Sequence, residues 1–185
     1  MDELVDILDP EGNLTGKTAM KSLAHQKGLF HPTVHVWLYT RQGELLLQQR
    51  GKNKDTYPML WDVSVAGHIG AGESITASAI REIEEEIGLH IKPEGLNKIG
   101  VFKSVHKHHE DLIDCEFHHT FLSELKVPFG NLIKQESEVE DLTLVPIDQF
   151  KTELTDKSKK DKYVPHKTAY YQAVISAIES LIGKL

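Results

Sequence analysis

Three glutamates, Glu82, Glu85 and Glu86, stand at i, i+3 and i+4 in the run Arg81-Glu82-Ile83-Glu84-Glu85-Glu86-Ile87-Gly88-Leu89. On a helix that spacing places all three carboxylates on one face. Like charges so placed destabilise a bare helix by roughly 0.2–0.5 kcal/mol per pair, so the gathering calls for a counter-charge. A divalent cation supplies one, and glutamate oxygens are hard ligands suited to Mg²⁺ or Mn²⁺.

The elements around these residues follow from pattern. Ile80, Ile83 and Ile87 occupy a second face at the spacing of a buried stripe, Ser74 suits the N-cap, and Gly88 suits the left-handed residue past the helix end. Ahead of the helix runs a glycine-rich loop, Gly67-His68-Ile69-Gly70-Ala71-Gly72-Glu73. Strands are expected at 4–8, 33–40, 45–50, 61–66, 98–105, 112–122 and 142–145, from their β-branched and aromatic content and the turn residues between them. Residues 33–40 and 45–50 read as a hairpin across Gln42-Gly43-Glu44. One or two helical turns fit 18–26, and a short helix opens at Pro146-Ile147-Asp148. Residues 155–162 read as a mobile loop, and Tyr171, Val174, Ile178 and Leu181 mark a C-terminal amphipathic helix. Together these predict a mixed α/β (α+β) sandwich. The whole chain, 1–185, is expected to be one domain, with 1–30 as an N-terminal extension and 163–185 carrying the last helix.

Composition narrows the function. The net charge of −7 argues against a nucleic-acid polymer or an anionic membrane as partner. A single cysteine, Cys115, forbids an internal disulfide and fits a reducing compartment. The acidic start Met1-Asp2-Glu3-Leu4 lacks the basic and apolar regions of a signal peptide, and no apolar run approaches a membrane span. A cytoplasmic location is expected.

Gly67, Glu73, Arg81, Glu82, Ile83, Glu85, Glu86, Gly88 and Leu89 meet every position of the pattern G-x5-E-x7-R-E-U-x-E-E-x-G-U, with U a bulky aliphatic residue. A chance match in a chain this size is on the order of one in ten million, so the chain resembles a Nudix hydrolase. The resemblance implies a Nudix-type α/β/α sandwich and Mg²⁺-dependent cleavage of a small-molecule diphosphate, with Mn²⁺ as an alternative cation. It implies Glu82, Glu85, Glu86 and the Gly67 carbonyl as metal ligands, with Glu85 and Glu86 also catalytic. Arg81 joins them by orienting the carboxylates, and Glu73 is structural, favoured near the helix N-terminus. Relatives draw one more carboxylate from outside the box as ligand or base. Of Glu136, Glu138 and Glu140, Glu138 is the choice, as it directly precedes Val139 and the strand at 142–145. Arg50, in a basic stretch with Lys52 and Lys54, and His68 are candidate substrate contacts. Homodimers are common in the family, and the oligomeric state stays open.

A closer resemblance lies in Trp61-Asp62-Val63-Ser64-Val65-Ala66-Gly67-His68. The segment is similar to isopentenyl diphosphate isomerases, which share the fold and carry a Ser-x-Cys-Gly-His-like segment and a histidine-rich metal site. His68 and His31 match family histidines, and Asp114 and Glu116 loosely match a paired acidic motif. The cysteine position is Ala66, and a methyl group cannot move a proton at carbon. An isomerase and a non-catalytic diphosphate sensor therefore stand as alternatives to the hydrolase. The clusters His106, His108, His109 and His118, His119 are read as solvated turn or alternating strand positions rather than a second metal site. Trp37 and Trp61 are read as core.

Overall fold

The computed structural model describes residues 2–183. Its centre is β3 (His31–Tyr39), all nine residues of which are buried. A strand that reads Val34, Val36, Leu38 on one face and Thr33, His35, Trp37, Tyr39 on the other must be covered on both sides. On the first face lies α2 (Ile75–Ile87), whose Ala79, Ile83 and Ile87 pack with Val34, Val36 and Leu38. On the second lie α3 (Ile147–Thr155) and α4 (Thr168–Ile182), whose Phe150, Tyr170, Tyr171, Val174 and Ile178 close over Trp37 and Tyr39. This is the α/β/α sandwich the sequence implied.

The sheet is seven-stranded and mixed. Along one side of β3, β8 (Leu112–Glu124) runs parallel from His31 opposite Glu116 to Tyr39 opposite Glu124, and β7 (Asn97–His109) follows antiparallel. The other side forks. The expected hairpin between β3 and β4 (Glu44–Arg50) holds only at its turn, where Tyr39 pairs Leu45. Beyond it β6 (Val65–His68) takes over, pairing Thr33 with His68 and Val36 with Val65. β4 turns instead to β5 (Trp61–Asp62) and β9 (Val139–Pro146). The expected single strand at 61–66 is thus two strands on two partners, because the chain crosses the fork at Val63-Ser64. Ser64, fully buried, spans the gap: its hydroxyl accepts from the Leu38 amide at 2.8 Å and donates to the Leu46 carbonyl.

Other boundaries move for local reasons. β1 (Leu4–Leu8) pairs with β2 (Leu14–Met20), a strand that takes up part of the expected helix at 18–26; α1 (Lys21–Lys27) follows and ends at Gly28 with φ 59°. His106, His108 and His109 belong to β7, so the turn is Glu110-Asp111 alone. Residues 160–162 form a 3₁₀ turn inside the expected loop. The last helix starts at Thr168 rather than 163, and positions 184–185 of the expected segment lie outside the described residues. No helix among the described residues is long and apolar enough to cross a membrane.

Replacing Ser64 with alanine strands one buried donor and one buried acceptor. Ser64→Ala is expected to destabilise the fold by about 2–4 kcal/mol, measured as a lower urea midpoint at unchanged m-value. An unchanged midpoint would show that the fork does not depend on this hydroxyl.

Candidate active site

The glycine-rich loop and α2 are locked together by Arg81. All five of its N–H groups are used. Nε and Nη2 donate to the two Glu73 oxygens at 3.1 Å each, and Nη2 also reaches the His68 carbonyl at 3.1 Å. Nη1 donates to Glu82 at 2.7 Å and to Glu85 at 3.0 Å. Glu73 accepts in addition from the Gly70 amide, so it braces the loop through Arg81 and the backbone. The helix begins and ends as its residues dictate, with Ser74 Oγ accepting from the Ala77 amide and Gly88 at φ 65°.

Glu82 and Glu86 are buried at the seam between α2 and β6, whereas Glu85 is half-exposed. Gly67 makes the seam close enough. A Cβ there would stand 2.0 Å from Glu82 Cδ, so any side chain would evict the carboxylate. Glu86 Oε2 accepts from Gln48 of β4 at 3.1 Å and from the Ala66 amide at 3.3 Å. Burial pushes the Glu86 carboxyl up to about 8, against the pull of Lys54, and the Glu82 carboxyl up to about 7, against the pull of Arg81. Protons or a cation must therefore compensate these groups near neutrality. The oxygen donors, their convergence and their unmet charge fit a hard divalent ion.

These residues line one cleft of about 380 Å³. Lys21, Arg50 and Lys54 line it too. Arg50 is partly committed, donating to the Thr56 carbonyl and hydroxyl and to Asp62 at 3.1 Å, so it also pins the loop at 51–57. Among Glu136, Glu138 and Glu140, only Glu138 lines the cleft, where it is ion-paired with Lys54. β9 begins right behind it at Val139, and the Glu138 carbonyl accepts from the Gly51 amide at 2.8 Å.

The same cleft holds a second group, joined to the first through His68 next to Gly67. His25 from α1, His31 from β3, His68 from β6 and Glu116 from β8 bring one donor atom each within 4.8 Å of one another. The Nε2 atoms of His25 and His31 are 3.2 Å apart, those of His68 and His25 3.4 Å, and Glu116 Oε1 is 3.5 Å from His31 and 3.6 Å from His68. Tetrahedral nitrogens about 2.0–2.1 Å from a metal are about 3.3 Å apart, so the spacing fits a transition-metal site. His31 Nδ1 donates to the Leu29 carbonyl at 2.9 Å, which turns the Nε2 lone pair inward. Asp114 Oδ1 is buried without a hydrogen-bond partner among the described residues, a further unmet acceptor two residues from Glu116. Burial and the neighbouring His68 and His31 push His25 down to about 4, leaving its imidazole neutral and able to ligate. Despite its own burial, Glu116 is held well below the usual carboxylate range by His31 and His68.

Sequence reading found His31, His68, Asp114 and Glu116 by resemblance and missed His25. No spacing signals it, because it joins the others only through the docking of α1 on β8. His68, expected to contact substrate, lines the cleft but turns its Nε2 into this group. Of the clusters read as solvated or alternating, His108 pairs with Asp114 at 2.8 Å, His109 is exposed, and His118 is buried and lines the cleft while His119 points to the other face.

A mixed sheet between helices, with paired carboxylates beside a glycine-rich loop, defines a carboxylate-rich α/β/α sandwich. Comparison with known proteins makes the assignment specific. A family model described as NUDIX domain matches residues 29–167. An uncharacterized Nudix hydrolase of Clostridium acetobutylicum is 36% identical over 96% of this chain and 97% of its own. An isopentenyl-diphosphate Delta-isomerase of Streptomyces avermitilis is 30% identical over 98% of this chain and 86% of its own. The crystal structure of DR0079 from Deinococcus radiodurans superposes with a TM-score of 0.63 at 16% identity, covering 80% of this chain and 86% of that one. The chain belongs to the Nudix family.

Two measurements follow. In the unfolded chain Glu82 and Glu86 titrate near 4.5. The metal-free folded state thus binds more protons up to about pH 8, and its stability falls as pH rises through that window. Between pH 7 and 8.5 the metal-free Tm is expected to drop, less steeply in Glu86→Gln, and Mg²⁺ is expected to raise Tm more at pH 8.5 than at pH 7. Equal slopes in both proteins would overturn the assignment. Separately, Glu116→Gln is expected to weaken Mn²⁺ or Zn²⁺ binding by at least roughly tenfold in equilibrium dialysis; undiminished binding would mean the histidine group is not a ligand set.

Proposed function

We propose that the protein is a Mg²⁺-dependent hydrolase that cleaves the phosphoric anhydride of a small organic diphosphate, such as a nucleoside diphosphate derivative. The observation that carries this reading is the convergence of Glu82, Glu85 and Glu86 beside Gly67 under Arg81, in a cleft that also presents Lys21, Arg50 and Lys54. In this reading Glu82, Glu85, Glu86 and the Gly67 carbonyl hold the cation, with Mn²⁺ able to replace it. A cation held by these residues would neutralise the diphosphate and make a water more acidic.

The protein's own groups do the rest. Lys21, Arg50 and Lys54 bind the diphosphate oxygens. Arg81 keeps Glu82 and Glu85 aimed at the cleft, so little reorganisation is needed at reaction. Glu138 takes a proton from the attacking water as it adds to phosphorus. The bridging P–O bond breaks, its electron pair stays on the departing phosphate, and one water is consumed per turnover. The His25, His31, His68 and Glu116 group would hold a second, softer cation in the same cleft.

An isomerase reading has less support. Ala66 lies where a thiol would be needed, and Cys115 is buried in β8, outside the cleft. A sensor has no need for the complete set of carboxylates.

The test is a panel of nucleoside di- and triphosphates, nucleotide sugars, dinucleoside polyphosphates and prenyl diphosphates, with and without Mg²⁺. Mg²⁺-dependent release of phosphate products is expected, and Glu85→Gln or Glu86→Gln should lower kcat by about 10²–10³-fold with the fold intact. No turnover on the whole panel by folded protein would refute the hydrolase. Deuterium entering isopentenyl diphosphate from solvent would favour the isomerase instead.

A further inference from the structure

Beside the carboxylates and the histidine–glutamate group, the same cleft has a polar floor, which Glu116 touches with Oε2 3.6 Å from His118 Nδ1. It is built by alternation on three adjacent strands. Thr33 and His35 rise from β3, His118 from β8, and Ser104 and His106 from β7, all lining the cleft. The His35 and His118 rings stack at 4.0 Å with 17° between planes. His166, ahead of α4, meets them edge-on at 5.4 and 6.0 Å.

Each stacked ring is locked through Nδ1. His35 Nδ1 is hydrogen-bonded to the Tyr170 hydroxyl at 2.7 Å, which also accepts from Trp37 Nε1 at 2.9 Å; His118 Nδ1 is hydrogen-bonded to Thr33 Oγ1 at 2.8 Å. Neither Nε2 has a hydrogen-bond partner among the described residues, and both residues line the cleft. Because the ring faces cover one another, the pair offers nitrogen edges rather than a surface for stacking. Aliphatic side chains are scarce in this cleft, limited to Ala66, Leu112 and Val164. A hydrocarbon laid on this floor would strip water from two ring nitrogens and the Ser104 hydroxyl and return no hydrogen bond. A hydroxyl both donates and accepts, so it suits an imidazole nitrogen in either tautomer.

We propose that His35 and His118 are specificity residues: their Nε2 atoms hydrogen-bond hydroxyls on the organic group attached to the diphosphate, selecting sugar-like over hydrocarbon substrates. This rests on the hydrolase reading for the chemistry, while the selection itself is a property of binding. Sites built to hydrogen-bond a substrate hydroxyl discriminate strongly against analogues that lack it.

Ribose 5-diphosphate and isopentenyl diphosphate make a matched pair, each with five carbons and one terminal diphosphate. Their binding to the full chain is measured by calorimetry with Mg²⁺, and their hydrolysis is followed in parallel. Ribose 5-diphosphate is expected to bind at least tenfold more tightly. His35→Leu and His118→Leu should each shrink that ratio about tenfold, and His35→Gln, which keeps a hydrogen-bonding end, should shrink it less. Equal or tighter binding of isopentenyl diphosphate overturns the proposal, as does binding of neither. Preference without hydrolysis of either compound sustains the floor's role while counting against the hydrolase; hydrolysis of both without preference does the reverse. Should a leucine variant fail to fold, the unmodified protein's ratio decides.

Discussion

Everything in the site hangs on the fork beside β3. A strand has two edges, and β3 gives one to β8 along its whole length. On the other it abandons β4 after a single pair and accepts β6. That exchange sets Gly67 against α2 and places His68 across from Thr33, two residues along β3 from where His31 faces Glu116. Without it the carboxylate seam and the histidine group would have no common cleft. A fork leaves backbone groups of two strands facing a gap, and a buried amide or carbonyl left unpaired is costly. Ser64 answers with one hydroxyl that serves both strands.

Arg81 is the electrostatic counterpart of the fork. Two carboxylates are buried within one helical turn, a condition that raises both pKa values and works against the fold. The guanidinium offsets part of this for Glu82 and ties the loop carbonyl of His68 to the helix. Lysine, a point charge with three donors, could not make the same five bonds. What remains uncompensated at Glu86 is met by only two hydrogen-bond donors on one oxygen. The seam therefore carries carboxylates whose charge burial disfavours.

The histidines show why some chemistry was hidden. His118 and His119 are adjacent in sequence, and strand alternation sends them to opposite faces. The expected alternation of strand positions holds for this pair. The real group draws on His25, His31, His68 and Glu116, from four elements. Similarly, the alternation in Thr33-Val34-His35 and Glu116-Phe117-His118 was visible as a period of two, but which period faced a cleft and which a helix was not.

The sequence by itself determined what is local or repetitive. The spacing of Glu82, Glu85 and Glu86, the cap at Ser74, the stop at Gly88 and the match of nine box positions need only neighbouring residues, because helix geometry relates them directly. The two-faced burial of β3 was likewise written in its composition. Tertiary structure alone decided the partners of each strand. Hydrogen-bonding edges are chemically alike, and only packing of α2 and α4 on opposite faces selects which edge meets which. That choice split the 61–66 strand in two. It also brought His25 to His31 and turned the inward row of β3, β7 and β8 into the floor of one cleft.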